Sequence, residues 1–221
     1  MSEVICSDSL TISTVLPVPT GCPFSPGQVT KVLFQLKYFD AATPQYNGIA
    51  VADADTLASY TGLLSAGDNS DLVVSPYVGS FTLEPGEEIE LGGGNETPAG
   101  APIGGGAQAT KASCNMLRTD QEEVILEMKK LYSISGLAVY LVTHKDQVVG
   151  LKKSVDISGE GTPEEAFIPI PLLRPPFVGD WKGGELEAIE INQMMFYFPS
   201  EWSDYLYSYT VPGIQDIANA D

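Results

Sequence analysis

His144 is the one histidine in the chain, and the three cysteines (Cys6, Cys22 and Cys114) are widely spaced, with no Cys-x-x-Cys pair. One imidazole and three scattered thiols fall short of the nitrogen and sulfur ligands that a zinc site needs. The odd number and wide spacing read as reduced thiols rather than a disulfide framework. A nucleophilic pair between His144 and one of the thiols stays open, with nothing in the spacing to favour it. His144 itself stands in a turn, His144-Lys145-Asp146-Gln147, and reads as a solvated turn residue. The triplets Gly92-Gly93-Gly94 and Gly104-Gly105-Gly106 suggest phosphate cradles at first sight. No Gly-Lys-Ser/Thr follows either one, no helix start is expected there, and acids surround the first, which argues against that chemistry. Glu84, Glu87, Glu88 and Glu90, or Asp68 and Asp71, could hold calcium weakly through oxygen, but neither group matches an EF-hand loop. Carboxylate pairs also leave glycoside hydrolysis open, with Trp181 and Trp202 as sugar platforms. Trp202 reads more simply as a ring packed at a sheet corner beside Tyr205, its indole N–H bonded. No cofactor is expected.

A chain of 221 residues can build one large β domain or two small ones without disulfide staples. Eleven Lys and Arg face 29 Asp and Glu, a net charge of −18. The excess concentrates toward the end, where Asp156–Asp221 holds twelve acids and two bases. Such a surface repels nucleic acid and anionic membranes, which excludes a phosphate-gripping DNA binder. Simple solubility accounts for it equally well, as does a basic partner. No apolar run reaches the length that spans a bilayer. The start, MSEVICSDSL, lacks the basic and apolar regions of a secretory signal, so the sequon Asn95-Glu96-Thr97 reads as chance.

The elements that must position these residues are mostly strands. Residues 1–28, rich in Ser, Thr, Pro and Gly, read as an extended arm. Val29–Tyr38 alternates Val32, Phe34 and Leu36 against Lys31, Leu33, Gln35 and Lys37, the period of a strand. Asp53–Leu64 suits a short helix capped by Asp53 or Asp55 and ended by Gly62. Leu72–Ser75 and Tyr77–Leu83 look like a strand pair split by Pro76. Thr119 and Glu122 form a capping box for a helix over 119–132, with Lys129 and Lys130 at its negative end. Leu137–Thr143 and Val148–Val155 flank the His144 turn as a hairpin. Ala166–Leu172 reads as an edge strand because of Pro169 and Pro171. Arg174–Gly184 reads as a loop, Leu186–Phe198 as the longest strand, Tyr205–Val211 as another, and 212–221 as a short acidic tail. Some eight to ten strands and one long helix, without βαβ alternation, predict a mainly β fold. The expected fold is an antiparallel β-sandwich or barrel with a flanking helix, in one domain over 29–211.

One stretch does not fit a compact domain. Glu84–Ser113 reads EPGEEIELGGGNETPAGAPIGGGAQATKAS, with eight glycines, three prolines, five acids and one lysine. Its apolar residues are too few to bury a core, so its middle is expected to have no regular structure of its own. A connection this long is usually functional or a linker. It is expected to order mainly against another surface.

The order of strand, long loop, strand, capped helix and apolar hairpin resembles the tail-tube and related tube-like structural proteins of tailed bacteriophages. The closing FPSEWSDYLYSYTVPG (Phe198–Gly213) looks like late segments of phage virion proteins. That resemblance covers residues 29–211 and implies a β-sandwich flanked by a helix, in which a long loop or hairpin reaches neighbouring subunits. It implies a non-enzymatic virion protein, made in the host cytoplasm, forming closed and stacked rings, hexameric in the expected case, alongside other virion proteins. Glu84, Glu87, Glu88, Glu90, Gly92–Gly94 and Gly104–Gly106 would then belong to the inter-subunit loop. DNA would pass an acidic lumen without specific binding, and no membrane is involved. The alternative is a capsid decoration, neck or adhesion protein that binds a glycan or host surface through Trp181 and Trp202. An acidic β-sandwich hydrolase is a third class, for which no nucleophile or base stands out.

Overall fold

The computed structural model describes residues 29–40, 42, 45–64, 66–91, 103–117, 122–182 and 191–218. Strand β1 (Val29–Leu36) comes first, followed by the small pair β2 (Tyr38–Asp40) and β3 (Gln45–Tyr46). After β4 (Ile49–Ala50) come a 3-10 turn at Val51–Asp53 and helix α1 (Leu57–Leu63). β5 (Val73–Val74) returns to β1, and β6 (Val78–Glu84) begins a second sheet. β7 (Glu88–Leu91) and β8 (Ile103–Ala107) pair with each other before β9 (Thr110–Leu117) pairs with β6. Helix α2 (Glu122–Lys130) runs into a 3-10 turn at Leu131–Ser133, then the hairpin β10 (Leu137–Thr143) and β11 (Gln147–Val155). β12 (Glu164–Ile168), β13 (Ile170–Pro171), β14 (Arg174–Lys182), β15 (Ile191–Phe198) and β16 (Leu206–Thr210) follow, with a last 3-10 turn at Ile214–Asp216.

The protein is mainly β, as its alternating apolar pattern requires, with two curled antiparallel sheets in sandwich-like packing. The larger sheet runs β4-β12-β11-β10-β1-β5, with β13 beside β10 and β16 beside β11. The smaller runs β14-β15-β9-β6. It lays Phe81, Cys114, Met116, Met194, Phe196 and Phe198 against one face of the larger sheet, where Val32, Phe34, Val139 and Leu141 meet them. Met128 of α2 and Leu131 close one end of that core. The opposite face of the larger sheet carries Leu33, Tyr140, Val142, Val148 and Phe167, covered by Tyr60 of α1 and by Val211, Ile214 and Ile217.

Two-sided burial explains why β1 is not half polar. Lys31 and Gln35 lie on its second face yet are buried; their donors bond to backbone, while Gln35 Oε1 has no partner among the described residues. The Lys31 ammonium donates to the carbonyls of Gln215 (2.6 Å) and Ile217 (2.7 Å), and the Gln35 amide donates to that of Ser70 (2.7 Å). Residues 214–217 are therefore not a free tail: Ile214 and Ile217 are core, and Lys31 bonds the carbonyls of Gln215 and Ile217.

Other expectations change for local reasons. Helix α1 starts after Thr56, and Gly62 sits inside it. Pro76 does not split a hairpin; it carries the chain from β5 in one sheet to β6 in the other. Residues 166–172 do not form one edge strand: β12 pairs β11 while β13, past Pro169, pairs β10. Arg174–Lys182 is a strand, not a loop. Its prolines are tolerated because β14 is an edge strand whose register slips between Arg174 and Phe177 and again between Val178 and Trp181. Helix α2 covers 122–130 of the expected 119–132, and its proposed cap Thr119 lies outside the described residues. The hairpin across the His144 turn forms as expected, with Leu141 opposite Val149 and Val142 opposite Val148.

Past those two rungs β10 and β11 part, and the β12–β13 segment fills the gap between them. Gly150 stands at the fork. A Cβ there would lie 2.7 Å from the Ile168 carbonyl oxygen and 2.8 and 2.9 Å from the Phe167 and Tyr140 rings. Gly150→Ala is expected to cost about 1–3 kcal/mol in denaturant unfolding, the penalty of overpacking a tight core. Gly62→Ala, where nothing lies within 4 Å, is expected to stabilise by roughly 0.5–1 kcal/mol instead. Equal effects at the two glycines would contradict the fork.

Candidate functional site

Two pairs stand apart from both sheets, β2–β3 and β7–β8, and the longer of them is β7–β8. Its root continues the β6–β9 pair. Glu84 lies opposite Lys111, and their side chains form an ion pair at 2.9 Å. The Glu84 carboxylate holds the Lys111 ammonium above its ordinary pKa. One step further out, the Gln108 amide donates to the Glu87 carbonyl at 2.8 Å. Gly86 makes this crossing possible, because a Cβ there would sit 2.0 Å from the Gln108 carbonyl oxygen. Glu88 then faces Ala107, Glu90 faces Gly104 and Leu91 faces Ile103. The expected excursion is thus an antiparallel arm with strands on both sides of residues 92–102, and this middle, expected to lack regular structure, lies outside the described residues.

This arrangement sorts the residues singled out from sequence. Glu84, Glu87, Glu88 and Glu90 fall on the arm or its root, and Gly104, Gly105 and Gly106 are strand residues of β8. A strand is not the loop-to-helix junction that cradles a phosphate. Gly92, Gly93 and Gly94 lie outside the described residues. Asp68 and Asp71 close their own turn, since Asp68 accepts from the Ser70 amide and hydroxyl and Asp71 from the Gly67 amide. The Ser70 hydroxyl and amide bonds hold Asp68 below the usual carboxylate range. Among the described residues no cluster of three or more His, Cys, Asp and Glu is placed to hold a metal.

Trp202 does not present a sugar platform. It is 8% exposed, stacks on Phe198 with ring centroids 4.6 Å apart, and donates its indole N–H to the Thr110 hydroxyl at 3.1 Å. Thr110 begins β9, so this corner packing anchors the foot of the arm. A groove of about 300 Å³ beside it is lined by Leu83, Pro85, Gln108, Trp202 and Ser203. Trp181 lies in β14 opposite Asn192, and Trp202 lies in the turn between β15 and β16. His144 is an exposed turn residue. Cys114 is buried in β9, and burial pushes its thiol up to about 12, far from a nucleophilic thiolate at neutral pH.

Exposed aromatics gather at the start of the last strand, in the same part of the chain as the two tryptophans. Tyr205 and Tyr207 are 45% and 47% exposed, with Lys153 over the Tyr205 ring at 4.5 Å and Lys152 toward Tyr207 at 5.8 Å. No helix among the described residues is long and apolar enough to cross a membrane. Compared with protein-family models and with curated proteins, the chain finds no match.

Trp202→Phe is expected to keep the stack on Phe198 and lose the bond to Thr110, costing about 1 kcal/mol in thermal or denaturant unfolding. No loss would contradict the anchoring role. In native protein, iodoacetamide is expected to leave Cys114 unmodified from pH 7 to 9, with labelling appearing only on unfolding, by peptide mass mapping. Labelling that climbs across that range would contradict its buried, neutral state.

Proposed function

We propose that this chain is a structural virion protein of the tail-tube type, which assembles with copies of itself into closed, stacked rings, hexameric by resemblance. The observation that carries the reading is the β7–β8 arm. It pairs only with itself, so the outer edge of each strand has no ladder partner among the described residues. A two-stranded ribbon is marginal in water on its own, and unpaired edges template further pairing. An arm of this kind gains its full complement of bonds when it meets a neighbouring subunit.

The charge supports the same reading. A net of −18 keeps the walls of a conduit from binding DNA phosphates, which cationic walls would hold. The burial of Trp202 removes one of the two aromatics that favoured glycan recognition. Virion residence and the passage of DNA belong to the proposal and follow from the tail-tube resemblance.

Purified protein is expected to show rings or tubes by negative-stain microscopy and an assembly mass by light scattering. Replacing Glu88–Ala107 with a two-residue Asn-Gly turn between Glu87 and Gln108, which already share a hydrogen bond, is expected to abolish assembly with the melting temperature little changed. A wild-type chain that stays monomeric at high concentration would overturn the proposal. An armless variant that assembles like wild type would remove the arm's role.

A further inference from the structure

We infer that the outer edge of β16 is the acceptor for the β7–β8 arm of a second copy, so that subunits join head to tail. The inference rests on the self-assembly reading above and names the receiving surface. β16 pairs β11 in unbroken register, from Gln147 opposite Thr210 to Leu151 opposite Leu206. Beyond the strand ends the Val211 amide donates to the Asp146 carbonyl (2.7 Å) and the Lys152 amide to the Tyr205 carbonyl (2.9 Å). Antiparallel ladders alternate, so Tyr207 and Tyr209 also direct their backbone groups at β11, and Leu206, Ser208 and Thr210 direct theirs away. The Leu206 amide closes on the Ser203 carbonyl at 3.2 Å. The amides of Ser208 and Thr210 and the carbonyls of Leu206, Ser208 and Thr210 have no backbone partner among the described residues.

Four other sheet edges carry features that block pairing. β14 has Pro175, Pro176 and two register shifts. β6 has a register shift between Gly79 and Thr82, with Ser80 at φ 51°. β4 and β5 are two residues each. β16, read LYSYT, has no proline, glycine, charge or bulge, which is the profile of an edge that invites a strand.

Charge selects the occupant. The stretch from Glu84 to Ala107 holds five acids and no base. β7 alternates Glu88 and Glu90 with Ile89 and Leu91 in sequence. The β16 edge is flanked by Lys145, exposed in the turn next to Gln147, and by Lys153, which lies over the Tyr205 ring; neither forms an ion pair among the described residues. Asp146 and Asp204 are the acids at the same edge, so Lys145 and Lys153 are the two cations there left to meet an acidic ribbon. Arm and edge are different surfaces, so the contact is heterologous and closes into a ring or continues as a filament.

Ser208→Pro tests the edge, because it removes an amide that the fold does not use. Circular dichroism is expected to stay unchanged while sedimentation velocity shows association weakened at least about tenfold, the loss of one decade in Kd or more. Ser208→Ala is expected to assemble normally, and Thr210→Pro serves where Ser208→Pro fails to fold. The decisive arm mixes Ser208→Pro, which keeps the arm, with the armless variant, which keeps the edge. Each alone is expected to be monomeric, and the mixture to form a one-to-one pair and nothing larger. Ser208→Pro assembling like wild type, or a mixture that stays monomeric, overturns the inference while the self-assembly reading stands. A monomeric wild-type chain would instead remove that reading and this inference with it.

Discussion

Strand β10 must be dry on both faces, and most of the architecture is a consequence. All seven residues of Leu137–Thr143 are buried. Leu137, Val139 and Leu141 require the smaller sheet on one side, while Tyr140 and Val142 require α1 and the last 3-10 turn on the other. Its two edges are filled as well, one by β1 along its whole length and the other by β11 and then β13. The fork at Gly150 allows this, since only a residue without a side chain lets the Ile168 carbonyl and the Tyr140 ring approach together. The Tyr140 hydroxyl, fully buried, donates to the Phe167 carbonyl at 3.1 Å, so the polar end of the ring is satisfied where it lies.

That constraint separates body from arm. Strands that serve β10 are covered, paired or short. β7 and β8 serve nothing in the body, and the chain holds them at its edge through a compact foot: the Glu84–Lys111 pair, the Gly86 crossing and the Trp202–Thr110 corner. A foot of this sort fixes the direction of the ribbon and shares Trp202 with the core.

How much was legible in the sequence follows from what each segment's neighbours do. LAVYLVT, flanked by a polar turn and a second apolar run, could only be a buried hairpin, and it is. Trp202 at a sheet corner was legible because an indole needs one apolar face and one acceptor, and Phe198 and Thr110 supply them. Arg174–Lys182 was not legible, because two prolines forbid a central strand and the sequence does not say that this strand lies at an edge with slipped register. Lys31 and the Ile214–Ile217 segment were illegible for a related reason: each looks solvated alone, and only the contact between them makes both buried. The arm was half legible. Its glycines and acids marked it as an excursion, but the pairing of Glu88–Leu91 with Ile103–Ala107 depends on a register that alternation in so glycine-rich a stretch does not specify.

A body organised around β10 and an arm completed by a neighbour together predict one pattern of amide hydrogen exchange. In dilute protein, amides of β10 and β1 should exchange only through global unfolding, and those of Glu88–Leu91 and Ile103–Ala107 far faster. As concentration rises, protection should grow in the arm and at Ser208 and Thr210, and leave β10 as it was. An arm as protected as β10 in dilute solution, or one whose exchange ignores concentration, would contradict the account.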